Sequence, residues 1–247
     1  MGELGQSPFP LSVSVALGID CMVQTLQEPS HQQTQYVVLD GITWQTYQAI
    51  QKDLGEHRSA RLAYSQGVLE IIMPSQLHEF ISRTKEAIVR TLAEEFNQRL
   101  RGYGSTTLDR EELVRGVEPD SCFYIQNVER ILGRRQIDLN TDPPPDLAIE
   151  VDITSSSRRR FGIYLQLSIP EVWRYTERQG VTIYQLQGNR YVECEFSPTF
   201  PTISGAVLQQ FLQLAATEDD ISVVWFALCA SGFARNLNKA SLLPVNG

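Results

Sequence analysis

Apolar positions along the chain change their period several times, and each change marks an element. Thr43 is placed to cap a helix in which Trp44, Tyr47, Ile50 and Leu54 recur at about 3.6-residue spacing, and Gly55 supplies the stop. The segment RLAYSQGVLEIIMP switches to strand-like composition on both sides of Gln66-Gly67, which predicts two strands joined by a tight turn and ended by Pro74. A long helical period follows. Leu77, Ile81, Ile88, Leu92 and Phe96 share one face from Gln76 to Leu100, with Ser75 as N-cap and His78 and Glu79 in the first turns.

Beyond this helix, GSTTLD, EPDSCFYI and PPPDLAIEVDI are short extended segments separated by polar or Pro-rich loops, and they read as core strands. A helix is expected over Arg160 to Leu167, ended before Ile169-Pro170. EVWRYT, GVTIYQL and RYVECEF then alternate apolar and polar residues as an antiparallel meander, with turns at Gln179-Gly180 and Gly188-Asn189. Val207 to Leu214 and Ile221 to Ala230 have helical patterns, the second started by Thr217 ahead of Glu218, Asp219 and Asp220. The fold class this implies is α+β, a mixed β-sheet core flanked by helices. Residues 1–35, rich in Gln, Ser and Pro without sustained period, read as a loosely ordered arm; 36–232 as a single domain; and 233–247 as a C-terminal tail.

A chain of 247 residues with 42% hydrophobic content is long enough for one substantial core, and no linker-like stretch divides it. The net charge of −8 argues against general nucleic-acid binding, so any such surface must be local. Cys21, Cys122, Cys194 and Cys229 lack metal-ligand spacing and read as free thiols. No segment approaches the roughly 20 apolar residues that span a bilayer. The start of the chain lacks the basic region of a secretory signal, and MGELGQ meets a lipidation pattern only loosely, so a soluble cytoplasmic protein is expected.

The chemistry concentrates between Asp142 and Asp152. In an extended strand Leu147, Ile149 and Val151 share one face, while Asp146, Ala148, Glu150 and Asp152 share the other. The second face carries carboxylates and no positive charge. A solvated strand face is one reading; the other is a cation site, because close like charges repel unless a cation or a proton relieves them. Asp120, after Pro119, opens another extended segment about 30 residues earlier. Alone it is an ordinary turn start, but its strand could pair with the acidic one.

With GVLEIIMPSQLHE, EPD at 118–120, PPDLAIEVDITSSS at 144–157 and IPEVWRYT at 169–176 in this order, the chain resembles the Uma-two family of restriction-endonuclease-like proteins, a domain of unknown function in the PD-(D/E)XK nuclease superfamily. The resemblance runs from Tyr36 to about Phe196. It implies a restriction-endonuclease-like fold, Mg²⁺-dependent (or Mn²⁺-dependent) phosphodiester hydrolysis and DNA as substrate. Asp120 then matches the aspartate of the Pro-Asp motif and Glu150 the acid of the (D/E)XK motif, two carboxylates able to bridge a hard cation. Asp146 is either a further metal ligand or a strand-entry residue. His78 and Glu79 stand where the family often has a histidine and the superfamily an extra acid, and they are supporting candidates.

The pattern breaks at Asp152, where the motif has a lysine that helps position or deprotonate water and offsets phosphate charge. Lys85, two turns from His78 on the same helix face, is the candidate for a relocated lysine. Arg158, Arg159 and Arg160, behind Ser155, Ser156 and Ser157 as a helix cap, are unfavourable for the helix dipole and are candidates for nucleic-acid contact. FGIYLQL follows where relatives carry more charge. Trp173 and Tyr175 read as strand packing rather than base-stacking platforms. Two functions remain: a metal-dependent DNA endonuclease with Asp120 and Glu150 as ligands and Asp152 or Asp146 assisting catalysis, in which a homodimer suits cutting of two strands, and a catalytically degenerate nuclease fold acting as a nucleic-acid-binding or regulatory module. With no phosphate loop, nucleophile elbow or nucleotide fingerprint, an enzyme acting on another phosphorylated substrate ranks below both.

Overall fold

The computed structural model describes residues 34–55, 59–153 and 157–217. The strands are β1 (Gln35–Leu39), β2 (Arg61–Ser65), β3 (Val68–Met73), β4 (Arg101–Gly102), β5 (Leu108–Arg110), β6 (Arg115–Val117), β7 (Ser121–Tyr124), β8 (Leu147–Asp152), β9 (Glu171–Thr176), β10 (Gly180–Gln187) and β11 (Arg190–Cys194). The α-helices are α1 (Trp44–Leu54), α2 (Gln76–Glu95), α3 (Arg158–Leu167) and α4 (Gly205–Ala215). The helix expected over Ile221 to Ala230, the C-terminal tail and all but the last two residues of the N-terminal arm lie outside the described residues.

Local signals place the elements well. Thr43 and Ser75 both cap as expected, their hydroxyls accepting from Thr46 N–H and His78 N–H. The β2–β3 hairpin turns on Gln66 and Gly67, both with positive φ (49° and 97°), the geometry of a primed hairpin turn. The strands expected for the meander form β9, β10 and β11 in antiparallel register. α3 begins two residues before its expected start, and Ser157 at its N-cap makes no side-chain cap bond. Of GSTTLD, only the end becomes strand, in β5, and Asp120 stands just ahead of β7 rather than in it.

One sheet was expected and two are found. The first, ordered β1-β3-β2-β6-β5, is antiparallel throughout. The second, ordered β11-β10-β9-β8-β7-β4, is mixed, because α3 carries the chain across so that β9 runs parallel to β8. On one face of this sheet α2 and α4 cover Leu147, Ile149, Val151, Trp173 and Ile183. On the other, Ala148 and Val172 pack with Ile163, Tyr164 and Leu167 of α3 and with Ala63, Leu108 and Val117 of the first sheet. The chain passes from the first sheet to the second at Pro119 and Asp120: Glu118 N–H still bonds Leu62 O, while Asp120 N–H already bonds Ile149 O. No described helix is long and apolar enough to cross a membrane.

Candidate active site

Asp120 sits at this crossing point, where several elements converge. Continuing the β7–β8 register from Ser121↔Ile149 sets it directly opposite Glu150. Its Oδ2 accepts the Val151 N–H (2.7 Å) and lies 3.3 Å from His78 Nε2, at the start of α2; its Oδ1 lies 3.2 Å from Arg61 Nε, at the start of β2. Burial opposes ionisation of this carboxyl, but the adjacent His78 ring, then the Arg61 guanidinium, outweigh it and hold the pKa below the usual carboxylate range. Arg61 also bonds Glu79 (2.9 Å), so Glu79 reaches Asp120 only through the guanidinium.

Glu150 is fully buried on the α3 side of β8. Tyr164 OH donates to its Oε1, and Arg160 Nη2 lies 2.9 Å from its Oε2 without forming a hydrogen bond there. Burial pushes its pKa up to about 8, Arg160 acting against the shift and Asp120 and Asp152 adding to it. Asp152, two residues on, is saturated. Arg160 donates to Oδ1 (2.8 Å), while Arg174 Nε (2.8 Å) and the N–H and Oγ of Ser157 (2.9 and 2.7 Å) donate to Oδ2. The positive charge that the acidic face lacks along its own strand arrives from α3 and β9.

Lys85 approaches from the opposite face of the sheet. Its side chain runs from α2 to the β8 and β9 backbones, and its Nζ donates to the carbonyls of Glu150 (3.1 Å) and Trp173 (3.2 Å). Burial lowers its pKa to about 7, against the pull of Asp120, Glu150 and Asp152. Helix spacing thus delivers both His78 and Lys85 to this cluster.

Asp146 does not join it. Its Oδ2 accepts the N–H groups of Ile125 and Asn127 (2.7 and 2.9 Å) and its Oδ1 the Asn127 side-chain amide (2.6 Å). It stands four strand positions before Glu150, roughly 13 Å away along an extended chain. Of its two sequence readings, the geometry is that of strand entry, with the carboxylate organising a loop. The arginine run divides as well. Arg158 and Arg159 are both exposed, Arg159 pairing with Glu70 (3.1 Å), and Arg160 is buried, so its guanidinium faces carboxylates where phosphate contact was expected. Arg61, Tyr164 and Arg174 were missed by the sequence reading. Arg61 and Tyr164 carry no sequence signal; Arg174 becomes visible only through the parallel register that sets it opposite Glu150.

The donor set suits a hard divalent cation. Asp120 and, once its proton has left, Glu150 bring carboxylate oxygens to opposed positions, and Glu150 Oε2 is a buried acceptor with no donated hydrogen bond. Among the described residues no three His, Cys, Asp or Glu side chains form a metal-holding group. A cation here would therefore rest on two protein carboxylates and water, an arrangement usual for Mg²⁺.

The sequence model of the Uma2 family, described as "Putative restriction endonuclease", matches residues 44–217. The chain belongs to this family. The match spans α1 to the end of α4 and so contains every residue of the cluster. Among solved structures, the Uma2 chain is similar to "a putative nuclease belonging to DUF820" from Anabaena variabilis ATCC 29413. The TM-score is 0.50 at 19% identity, over 69% of this chain and 99% of that one, a likeness of fold. Comparison with curated proteins yields no match.

Proposed function

We propose that the chain is a metal-dependent endonuclease that hydrolyses DNA phosphodiester bonds, with Asp120 and Glu150 holding Mg²⁺ or Mn²⁺ and Lys85 fixing the Glu150 backbone from the other face of the sheet. The observation that carries this reading is the placement of Asp120, just ahead of β7, opposite Glu150 of β8 when the β7–β8 register is continued, in a member of a family described as "Putative restriction endonuclease". When bound, a divalent cation lowers the pKa of a water and offsets charge on the scissile phosphate.

The protein's own groups do the rest. Asp120 is kept ionised by His78 and Arg61 despite its burial. Lys85 donates to the carbonyls of Glu150 and Trp173 and so ties β8 to β9 behind the carboxylate. Arg158, exposed on the first turn of α3, supplies a phosphate contact at the surface. A C₂ dimer suits cleavage of both strands.

The test is cleavage of supercoiled plasmid and single-stranded DNA by the purified chain in Mg²⁺ and then Mn²⁺, with Glu150→Ala and Lys85→Met as controls. Metal-dependent cleavage abolished by Glu150→Ala is expected. One observation favours a second reading, a degenerate nucleic-acid-binding module: Arg160 already compensates Glu150. Absence of cleavage with either ion, together with nucleic-acid binding that survives Asp120→Ala, selects that module.

A further inference from the structure

The acidic face has two counter-cations, and their attachments are unequal. Arg174 serves Asp152 through two nitrogens, Nε at 2.8 Å and Nη2 at 2.7 Å from Oδ2. Arg160, only 2% exposed, divides one nitrogen between two carboxylates, with Nη2 2.8 Å from Asp152 Oδ1 and 2.9 Å from Glu150 Oε2. Only the Asp152 contact has hydrogen-bond geometry; Glu150 Oε2 receives no donated hydrogen. The guanidinium is therefore tied to Asp152 and merely stands against Glu150. Asp152 remains satisfied whatever Glu150 does, because Arg174 and both donors of Ser157 hold its other oxygen.

A buried carboxylate must be compensated by a proton or a cation, and two cations cannot share one oxygen without strong repulsion. We infer that Arg160 is a tethered counter-cation: it stands against Glu150 while no divalent ion is bound and leaves that contact, pivoting on Asp152, when one enters. The inference rests on the proposed cation site at Asp120 and Glu150. It adds that Arg160 sets the affinity of this site by competition, and that Asp152 serves as the post on which the guanidinium turns, not as a ligand. The released guanidinium stays beside the site, available to an anionic group arriving with the cation. Tyr164 holds the other oxygen of Glu150 and keeps the carboxylate in place during the exchange.

The experiment is calorimetric titration of Mg²⁺ into the wild-type chain, Glu150→Gln and Arg160→Gln in mildly alkaline buffer, with folding of each checked by circular dichroism. In parallel, the Arg160 Nε–H resonance of arginine-labelled wild-type protein is followed as Mg²⁺ is added, and Arg160→Lys provides its assignment. Expected are measurable binding by the wild type, its loss in Glu150→Gln, and binding about tenfold tighter in Arg160→Gln, since a like charge beside the ion is removed. The Arg160 resonance should shift in step with occupancy. That wild-type measurement decides the matter if Arg160→Gln does not fold. If Glu150→Gln abolishes binding while Arg160→Gln binds no tighter and the resonance stays fixed, the tether is overturned and the cation site stands. If no chain binds Mg²⁺, or Glu150→Gln binds as well as the wild type, the cation site itself fails and the tether with it.

Discussion

Two groups of buried carboxylates among the described residues are compensated in opposite ways. Glu171, at the start of β9, accepts from Trp173 Nε1 (2.6 Å) and Ser197 Oγ (2.6 Å) on one oxygen, and from the N–H and Oγ1 of Thr199 (3.0 and 2.6 Å) on the other. Asp146 is likewise held by the uncharged donors of Ile125 and Asn127. Asp120, Glu150 and Asp152 are instead met by Arg61, Arg160 and Arg174, with His78 and Tyr164 filling in. Neutral donors fixed by the backbone fasten one segment to another and leave no room for exchange. Cations on long side chains can be traded for a different cation. The first kind builds the fold, and the second builds a place for chemistry.

The sharpest way to break this distinction is to remove a member of the first kind. Glu171→Ala strands four buried donors and should cost about 4 kcal/mol, measured by urea unfolding, since each unmet buried donor costs roughly 1–3 kcal/mol and the effects overlap. A loss below about 1 kcal/mol would remove Glu171 from the structural class. Asp146→Ala should cost about 2–3 kcal/mol by the same logic, with Mg²⁺ affinity unchanged. A collapse of that affinity in a folded variant would return Asp146 to the metal site.

Members of the second kind should reveal themselves through pH. Folded Glu150 keeps its proton up to about pH 8, while the unfolded chain releases it near the ordinary carboxylate value of 4.5. The folded state therefore binds more protons between these values, and this contribution to stability is lost as pH rises through that window. Relative to Glu150→Gln, which carries no such proton, the wild type should lose stability between pH 5 and pH 8, compared by urea unfolding at both. An unchanged difference would contradict the raised pKa. Lys85 has the opposite sign. Its pKa is lowered, so the unfolded chain binds more protons between about pH 7 and 10.5, and wild-type stability rises with pH across that window. Lys85→Met should remove this rise while changing stability at pH 7 by no more than about 1 kcal/mol, the smallest effect of the set, because the lost hydrogen bonds and the relieved desolvation oppose each other.

The helix faces and caps were legible in the sequence because they are set by neighbours a few residues apart. His78 and Lys85 could be placed on one face of α2, and Asp120 and Glu150 on facing strands, before any tertiary information. The relief of the acidic face was not legible. Like charges without a nearby Lys or Arg suggested a metal, yet Arg160 reaches back from the following helix and Arg174 comes from a strand whose parallel register no local pattern encodes. The division into two sheets was hidden for a related reason. The chain reverses between β5 and β6 through Val114 at φ 52°, a β-branched residue in a conformation that turn signals assign to Gly or Asn.

The parallel pairing of β8 and β9 has an evolutionary corollary. Glu150, Asp152, Arg160, Tyr164 and Arg174 all lie within the continuous strand–helix–strand span 147–176, whereas Arg61, His78, Lys85 and Asp120 come from outside it. The cluster is therefore encoded in two parts of the chain. A single recombination that exchanges this span with a relative's replaces the arginine-bearing half together with its matched acids, so the charge balance travels intact. A point mutation cannot do that: altering Asp152 alone strands two arginines at once. Diversification of this cluster is accordingly easier by exchange of the whole unit than by stepwise substitution.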